Sequence, residues 1–196
     1  MQSTVLSVGR LVPRKGHIYL IDAVSKLVDE GMDLKLVIIG IGPEEENIRR
    51  RAARMGPNAT GLDFRLELVI SDEQLEQEYK NADVFVLPSI TDEHGEKEGL
   101  GLVLLEAMHF KVPVIAFDNG GTREAVIDGH NGILLAEKDV EGLVRAIMKI
   151  LTDDQYRQKL IETAYADIHK RFSVEAIIKR QVEIYNRVLA ITGNAS

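Results

Sequence analysis

Residues 83–117, DVFVLPSITDEHGEKEGLGLVLLEAMHFKVPVIAF, decide the fold. DVFVLPS is a short apolar run of β-branched and aromatic residues closed by Pro88, which reads as a buried strand. A charged loop, ITDEHGEK, follows. From Leu102 the sequence reads as a buried helix, and VPVIAF is again an apolar strand. Strand, helix, strand, with both strands buried runs, calls for a parallel sheet covered on both faces.

The same alternation extends in both directions. Upstream, TVLSVG is a first strand and HIYLIDAVSKLVDEG a helix ending at Gly31, with Ile18, Ile21, Val24, Leu27 and Val28 on one face. DLKLVIIG is a second strand. PEEENIRRRAARMG is a helix with acids in its first turn and arginines after them, matching the macrodipole. FRLELVI is a third strand, and Ser71 to Gln74 forms a capping box for the next helix. Downstream come the loop DNGGT, a short helix, the strand GILL and the helix VEGLVRAIMKIL. Residues from Asp153 to Ile191 are helical with a break near Phe172-Ser173. The expectation is an α/β doubly wound, Rossmann-like parallel sheet over residues 1–152, with appended helices over 153–196.

The 196 residues suit one domain or half of a two-domain enzyme. A net charge of −7 disfavours a nucleic-acid partner, so any anionic ligand must be held by local cations and backbone amides. The chain has no cysteine, which excludes a thiolate metal site or catalytic thiol and fits a reducing, cytoplasmic setting. No apolar run approaches the ~18 residues of a membrane span. The chain enters its first strand within a few residues of Met1, without a signal peptide, as expected of a short N-terminus or a piece of something longer.

In a doubly wound sheet, ligands bind beyond the carboxyl ends of the strands. The loops there are GRLVPRKG, GIGPEE, PSITDEHGEKEGLG and DNGGT. Glu98 and Glu106 have seven residues between them. If the segment were helical throughout they would stand ~12 Å apart along its axis, too far for one glycosidic bond but suited to the two ends of an elongated ligand. Gly99 and Gly101 leave amides uncovered at a helix start, an anion site. A diphosphate fits in the middle, with a hydroxyl-rich group at either end. The plain alternative is a helix-start acid and a surface helix residue. Glu106, however, sits in apolar company and needs a partner. Arg10, Arg14 and Lys15, between Gly9 and Gly16, offer a planar fork and a point charge to phosphate, unless they only form a solvated loop.

Other motifs fail. GIGPEE carries Glu45 where a dinucleotide fingerprint needs its third glycine, and it follows the second strand. There is no P-loop. The acids Asp92, Glu93 and Glu96 around His94 read as a solvated loop rather than a metal site. Ser89 lacks a nucleophile-elbow context.

The motifs VGRLVPRKG, ADVFVLPS, EGLGLVLLEAM, VPVIAFDNGGTREAV and NGILL, in this order, resemble the C-terminal half of retaining, nucleotide-sugar-dependent glycosyltransferases of the GT-B arrangement. The resemblance covers essentially the whole chain. It implies a donor-binding half that takes a UDP-, GDP- or ADP-sugar with no metal or other cofactor, with Glu98 on the donor sugar and Glu106 on the ribose. It implies backbone contacts from Gly99, Leu100, Gly101 and Leu102, a diphosphate on Arg10 and Lys15 beside Gly9, and a base near Ile70. It also implies a partner, an N-terminal acceptor-binding domain that lies outside this chain. The tail helices would pack on that domain, and any membrane association would run through it. Leu100 stands where the family often has Phe, and His109 and Phe110 where it has small residues. The rival readings are a non-catalytic nucleotide-binding module, the donor subunit of a two-chain transferase, and a sugar-nucleotide epimerase of the same architecture.

Overall fold

The computed structural model describes residues 2–54 and 62–193. Its six strands are β1 (Ser3–Val8), β2 (Leu34–Ile39), β3 (Leu62–Glu67), β4 (Val84–Leu87), β5 (Val114–Phe117) and β6 (Ile133–Leu135). All are parallel, in the order β3-β2-β1-β4-β5-β6. The order reverses between β1 and β4, which places a crevice at their carboxyl ends.

Strand periodicity of two divides the core into two layers. Val5, Leu36, Ile38, Val84, Val86, Ile115 and Phe117 face α1 (His17–Asp29), α2 (Glu45–Ala53) and α6 (Val140–Thr152). Their alternates Leu6, Val37, Ile39, Phe85, Leu87, Val114 and Ala116 face α3 (Asp72–Lys80), α4 (Leu102–His109) and the short α5 (Thr122–Ala125). Burial of both strand faces explains why these strands are unbroken apolar runs in the sequence.

The C-terminal helices differ in burial. α7 (Asp154–Phe172) packs against α4 and α6 and buries Leu160, Ala164 and Ile168. α8 (Val174–Gly193) begins after Ser173 and exposes Ile177, Ile178, Val182 and Tyr185. Among the described residues no helix is long and apolar enough to cross a membrane.

The structure corrects some boundaries. β3 spans Leu62–Glu67, and Val69, expected in that strand, is 83% exposed. The partner strand sets this limit: Ile39 pairs with Glu67, the Gly40 amide bonds the Glu67 carbonyl, and the ladder ends there. Helix α2 is described to Ala53; Met55 and Gly56, also read as part of it, lie outside the described residues. On α1 the deeply buried positions include Leu20, while Ile18 is only half-buried. The capping box is present, with the Gln74 amide donating to Ser71 Oγ and the Ser71 amide to Gln74 Oε1.

Candidate functional site at the switch point

Two glycine-enforced contacts build the crevice. A Cβ on Gly16 would stand 2.0 Å from the Pro88 carbonyl oxygen, and Gly16 holds φ +63°. Only glycine fits, and its fit draws the 3-10 turn Pro13–Lys15 against the end of β4. On the other side, Cβ atoms on Gly40 and Gly42 would meet the Gly9 and Leu11 carbonyl oxygens at 1.9 and 2.3 Å. The glycines of GIGPEE therefore serve close backbone packing against the β1–α1 loop.

Lys15 and Glu98 meet across this junction. Lys15 Nζ stands 2.6 Å from Glu98 Oε2, with side-chain exposures of 12% and 8%. Ser89 Oγ donates to the same oxygen at 2.7 Å, and the Gly99 amide donates to Oε1 at 3.2 Å. Burial works to raise the Glu98 carboxyl, but bonds from Lys15 and Ser89 and the charges of Lys15 and Arg14 outweigh it and hold it below the usual carboxylate range. Arg14 Nη1 donates to the Lys97 carbonyl at 3.0 Å and ties the same two loops.

The backbone of Glu98 is clamped from DNGGT. Asn119 Oδ1 accepts from the Glu98 amide at 2.7 Å, and the Gly121 amide donates to the Glu98 carbonyl at 3.1 Å. Cβ atoms on Gly120 and Gly121 would lie 2.1 and 2.2 Å from the Glu98 and Gly99 carbonyl oxygens, so both positions need glycine.

After Glu98 the chain is not helical. Gly101, at φ +72°, is the N-cap of α4, and no side chain caps that helix. The helical ruler between Glu98 and Glu106 thus holds only from Leu102, and Glu98 stands off the helix on a loop. The Leu104 amide bonds back to the Gly101 carbonyl at 2.8 Å, and the amides before it, which no side chain caps, carry the positive end of the α4 dipole. Glu106 is exposed, and Tyr79 Oη donates to its Oε2 at 2.8 Å. Tyr79 is 1% exposed and stacks on Phe110 at 5.4 Å. Burial, then the Glu106 charge, raises the Tyr79 hydroxyl well above its ordinary value, so it stays a proton donor.

Lys15 and Glu98 are thus in direct contact, with Gly9, Gly99, Leu100 and Gly101 on the loops that carry them and Leu102 at the first position of α4. Arg10 is exposed and, with Arg14, lines an adjoining cleft of about 660 Å³. Glu106 lines a separate hollow with His109, Phe110 and Phe172, and Ile70 lines a recess with Arg65 and Gln77. No one of these hollows collects all the expected residues. The acidic loop is turn-forming: Asp92 Oδ1 accepts from the His94 and Glu96 amides. Sequence reasoning missed Asn119 and Tyr79 and set Ser89 aside. Their partners are 21, 27 and 9 residues away, so the only sequence signal was that DNGGT and PSI sit at carboxyl ends of strands.

A six-stranded parallel sheet with a polar, glycine-lined crevice at its switch point defines a Rossmann-like domain of the nucleotide-binding kind. Residues 1–167 match the model of the family "Glycosyl transferases group 1", and the chain belongs to that family. It is 38% identical over 150 residues to a GDP-mannose-dependent alpha-(1-6)-phosphatidylinositol monomannoside mannosyltransferase of Mycolicibacterium smegmatis, covering 76% of this chain and 38% of that protein. It is 30% identical over 194 residues to an uncharacterised glycosyltransferase of Methanocaldococcus jannaschii, covering 98% of this chain and 47% of the relative. The fold superposes on Anabaena HepE, solved in complex with UDP-glucose, with TM-score 0.78 and 25% identity over 95% of this chain and 49% of that one. The fold is thus that of a GT-B glycosyltransferase domain. The chain spans about half the length of the curated relatives it matches.

Proposed function

We propose that this chain is the donor-binding half of a retaining glycosyltransferase, which moves a sugar from a nucleoside diphosphate sugar to an acceptor hydroxyl. The observation that carries the reading is the Lys15–Glu98 contact beside the uncapped start of α4. It supports the reading by pairing a cation with a hydroxyl-accepting carboxylate just before a helix start that no side chain caps.

In this reading Glu98 accepts hydrogen bonds from the donor sugar, and Gly99, Leu100, Gly101 and Leu102 supply backbone contacts. Arg10, Lys15 and the amides near Gly101 hold the diphosphate. Breaking the anomeric C1–O bond leaves negative charge on the departing diphosphate, and these preorganised donors stabilise it. The incoming hydroxyl passes its proton to that leaving phosphate, so no residue here acts as general base. The cations supply the charge compensation that a metal would otherwise give. Glu106, oriented by Tyr79, receives the ribose hydroxyls, and the loop around Ile70 lies against the base.

The acceptor belongs to the other half of the protein, and the exposed apolar residues of α8 are where that half would pack. The reading is tested by thermal shift with UDP-, GDP- and ADP-sugars. One series should stabilise the chain in proportion to the logarithm of its concentration; no stabilisation by any of them would remove it.

A further inference from the structure

Glu137, in the turn between β6 and α6, belongs to none of the roles above. Yet its carboxylate collects three bonds. Oε2 accepts from the Thr91 amide at 2.8 Å. Oε1 accepts from Thr91 Oγ1 at 2.8 Å and from Asn119 Nδ2 at 2.6 Å. Asn119 Nδ2 also reaches Thr91 Oγ1 at 3.0 Å. Burial pushes the Glu137 carboxyl up, but these bonds and the neighbouring Lys138 charge outweigh it and hold it below its ordinary range.

The network closes the neck of the 89–98 loop. Thr91 stands at its start and Glu98 at its end; the segment between them is largely exposed and bonds mostly within itself. Asn119 joins the two ends: its amide nitrogen goes to Glu137 and Thr91, and its Oδ1 takes the Glu98 amide. The Glu137 carboxylate fixes which end of the Asn119 side chain points where, because a carboxylate can only accept and so demands the NH2 end. Lys138, immediately after, holds φ +67°, a conformation a non-glycine residue keeps only when its surroundings over-determine it.

We propose that Glu137 is a positioning residue for Glu98. Acting through Asn119 and Thr91, it fixes where the Glu98 carboxylate stands and thereby sets affinity for the sugar part of the donor rather than the nucleotide part. The assignment of the sugar to Glu98 rests on the function proposed above. The clamp itself does not.

The test is therefore in two parts. Without ligand, amide hydrogen exchange is compared in the wild type and Glu137→Gln. Both carboxylate oxygens accept, Oε1 from Thr91 Oγ1 and Asn119 Nδ2 and Oε2 from the Thr91 amide, so whichever way the Gln side chain turns its NH2 group meets a donor. The Glu98 and Thr91 amides should therefore exchange at least roughly tenfold faster, with strand amides such as Leu6 unchanged. Unchanged exchange at Glu98 overturns the clamp, as does equal acceleration throughout the sheet.

With ligand, calorimetry compares UDP-glucose, GDP-mannose and ADP-glucose, each against its parent nucleoside diphosphate. Glu137→Gln should reduce the preference for nucleotide sugar over nucleotide roughly tenfold, with nucleotide affinity within about twofold of wild type. The pair Asn119→Asp with Glu137→Gln moves the acid across the contact and keeps donor facing acceptor, so it should restore most of the preference. Equal losses for sugar nucleotide and nucleotide, or no rescue, overturn the positioning role. If Glu98→Gln leaves the preference intact, or the wild type binds none of the six ligands, the sugar assignment of Glu98 fails while the exchange result still judges the clamp.

Discussion

Lys15→Met removes the cation from the Lys15–Glu98 pair while keeping an unbranched stem against Gly9, where Lys15 Cδ and Cε lie 3.5 Å from the point a Cβ on that glycine would occupy. Removing one partner of a fully buried ion pair costs about 3–5 kcal/mol. Here the side chains keep 12% and 8% exposure and Glu98 retains Ser89 Oγ and the Gly99 amide, so the expected loss is about 2–3 kcal/mol. For a domain of this size that lowers Tm by about 4–12 °C. Urea unfolding followed by circular dichroism, near pH 7 and again near pH 4, is the assay. The Glu98 carboxyl lies below its ordinary value when folded, so its contribution is present above the unfolded pKa and is lost as pH falls through the folded one. In Lys15→Met the carboxyl protonates more readily, and the gap between variant and wild type should narrow on acidification. Lys15→Met with Glu98→Leu leaves no orphaned charge and should recover most of the stability. A single variant as stable as wild type at neutral pH, a gap that ignores pH, or strictly additive losses in the pair would refute the reasoning.

Four further outcomes are expected. Tyr79→Phe keeps the stack on Phe110 but frees Glu106, so affinity for a nucleoside diphosphate should fall roughly three- to tenfold while that for its 2′,3′-dideoxy analogue stays put; calorimetry showing parallel losses would sink the ribose role. Arg10→Ala should weaken nucleoside diphosphate binding at least roughly tenfold and nucleoside binding hardly at all, and equal losses would refute a phosphate contact. Gly16→Ala combines a left-handed φ with a 2.0 Å approach to the Pro88 carbonyl, so it should destabilise by about 3 kcal/mol or more, read by thermal melting; a wild-type Tm would contradict the geometry. His17 is 2% exposed with Nδ1 3.3 Å from Ser7 Oγ, and burial lowers it from 6.5 to about 4. The unfolded chain therefore takes up a proton that the folded chain refuses, so stability should fall by up to ~3 kcal/mol as pH drops through that window; His17→Phe should flatten this slope, and an unaltered slope would show that other groups carry it.

The sheet was legible because burial on both faces makes its strands apolar runs and because each glycine or proline boundary interrupts a period. The crevice was legible through a topological rule that needs only strand order. What sequence could not supply was contact between loops 83 residues apart, as in Lys15–Glu98. Nor could it distinguish the glycines of GIGPEE and DNGGT as packing glycines rather than ligand glycines, since both look alike until the opposing carbonyl is in place. Tyr79 on α3 carried no signal in the sequence; its hydroxyl gains meaning only when α4 brings Glu106 within 2.8 Å. The end of β3 was misjudged because Leu68 to Ile70 are apolar enough for a strand but lie past the end of β2, with no ladder to join.

The pairing of Lys15 with Glu98 bears on selectivity under the proposed function. A chain of net charge −7 with an isolated buried cation would bind many small anions. Here the cation is already neutralised, at 2.6 Å, by the acid assigned to the sugar. A simple phosphate that drew Lys15 away would leave Glu98 uncompensated in a largely dry setting, at a cost comparable to breaking the pair. A neutral sugar would offer hydroxyls to Glu98 but no charge to Lys15 or to the uncapped start of α4. A diphosphate joined to a hydroxylated ring supplies both at once, with a single loss of translational freedom. In that proposed function the ion pair would discriminate against either fragment alone, and the Asn119 clamp would matter because the discrimination would depend on where Glu98 is held if Lys15 turns to the phosphate.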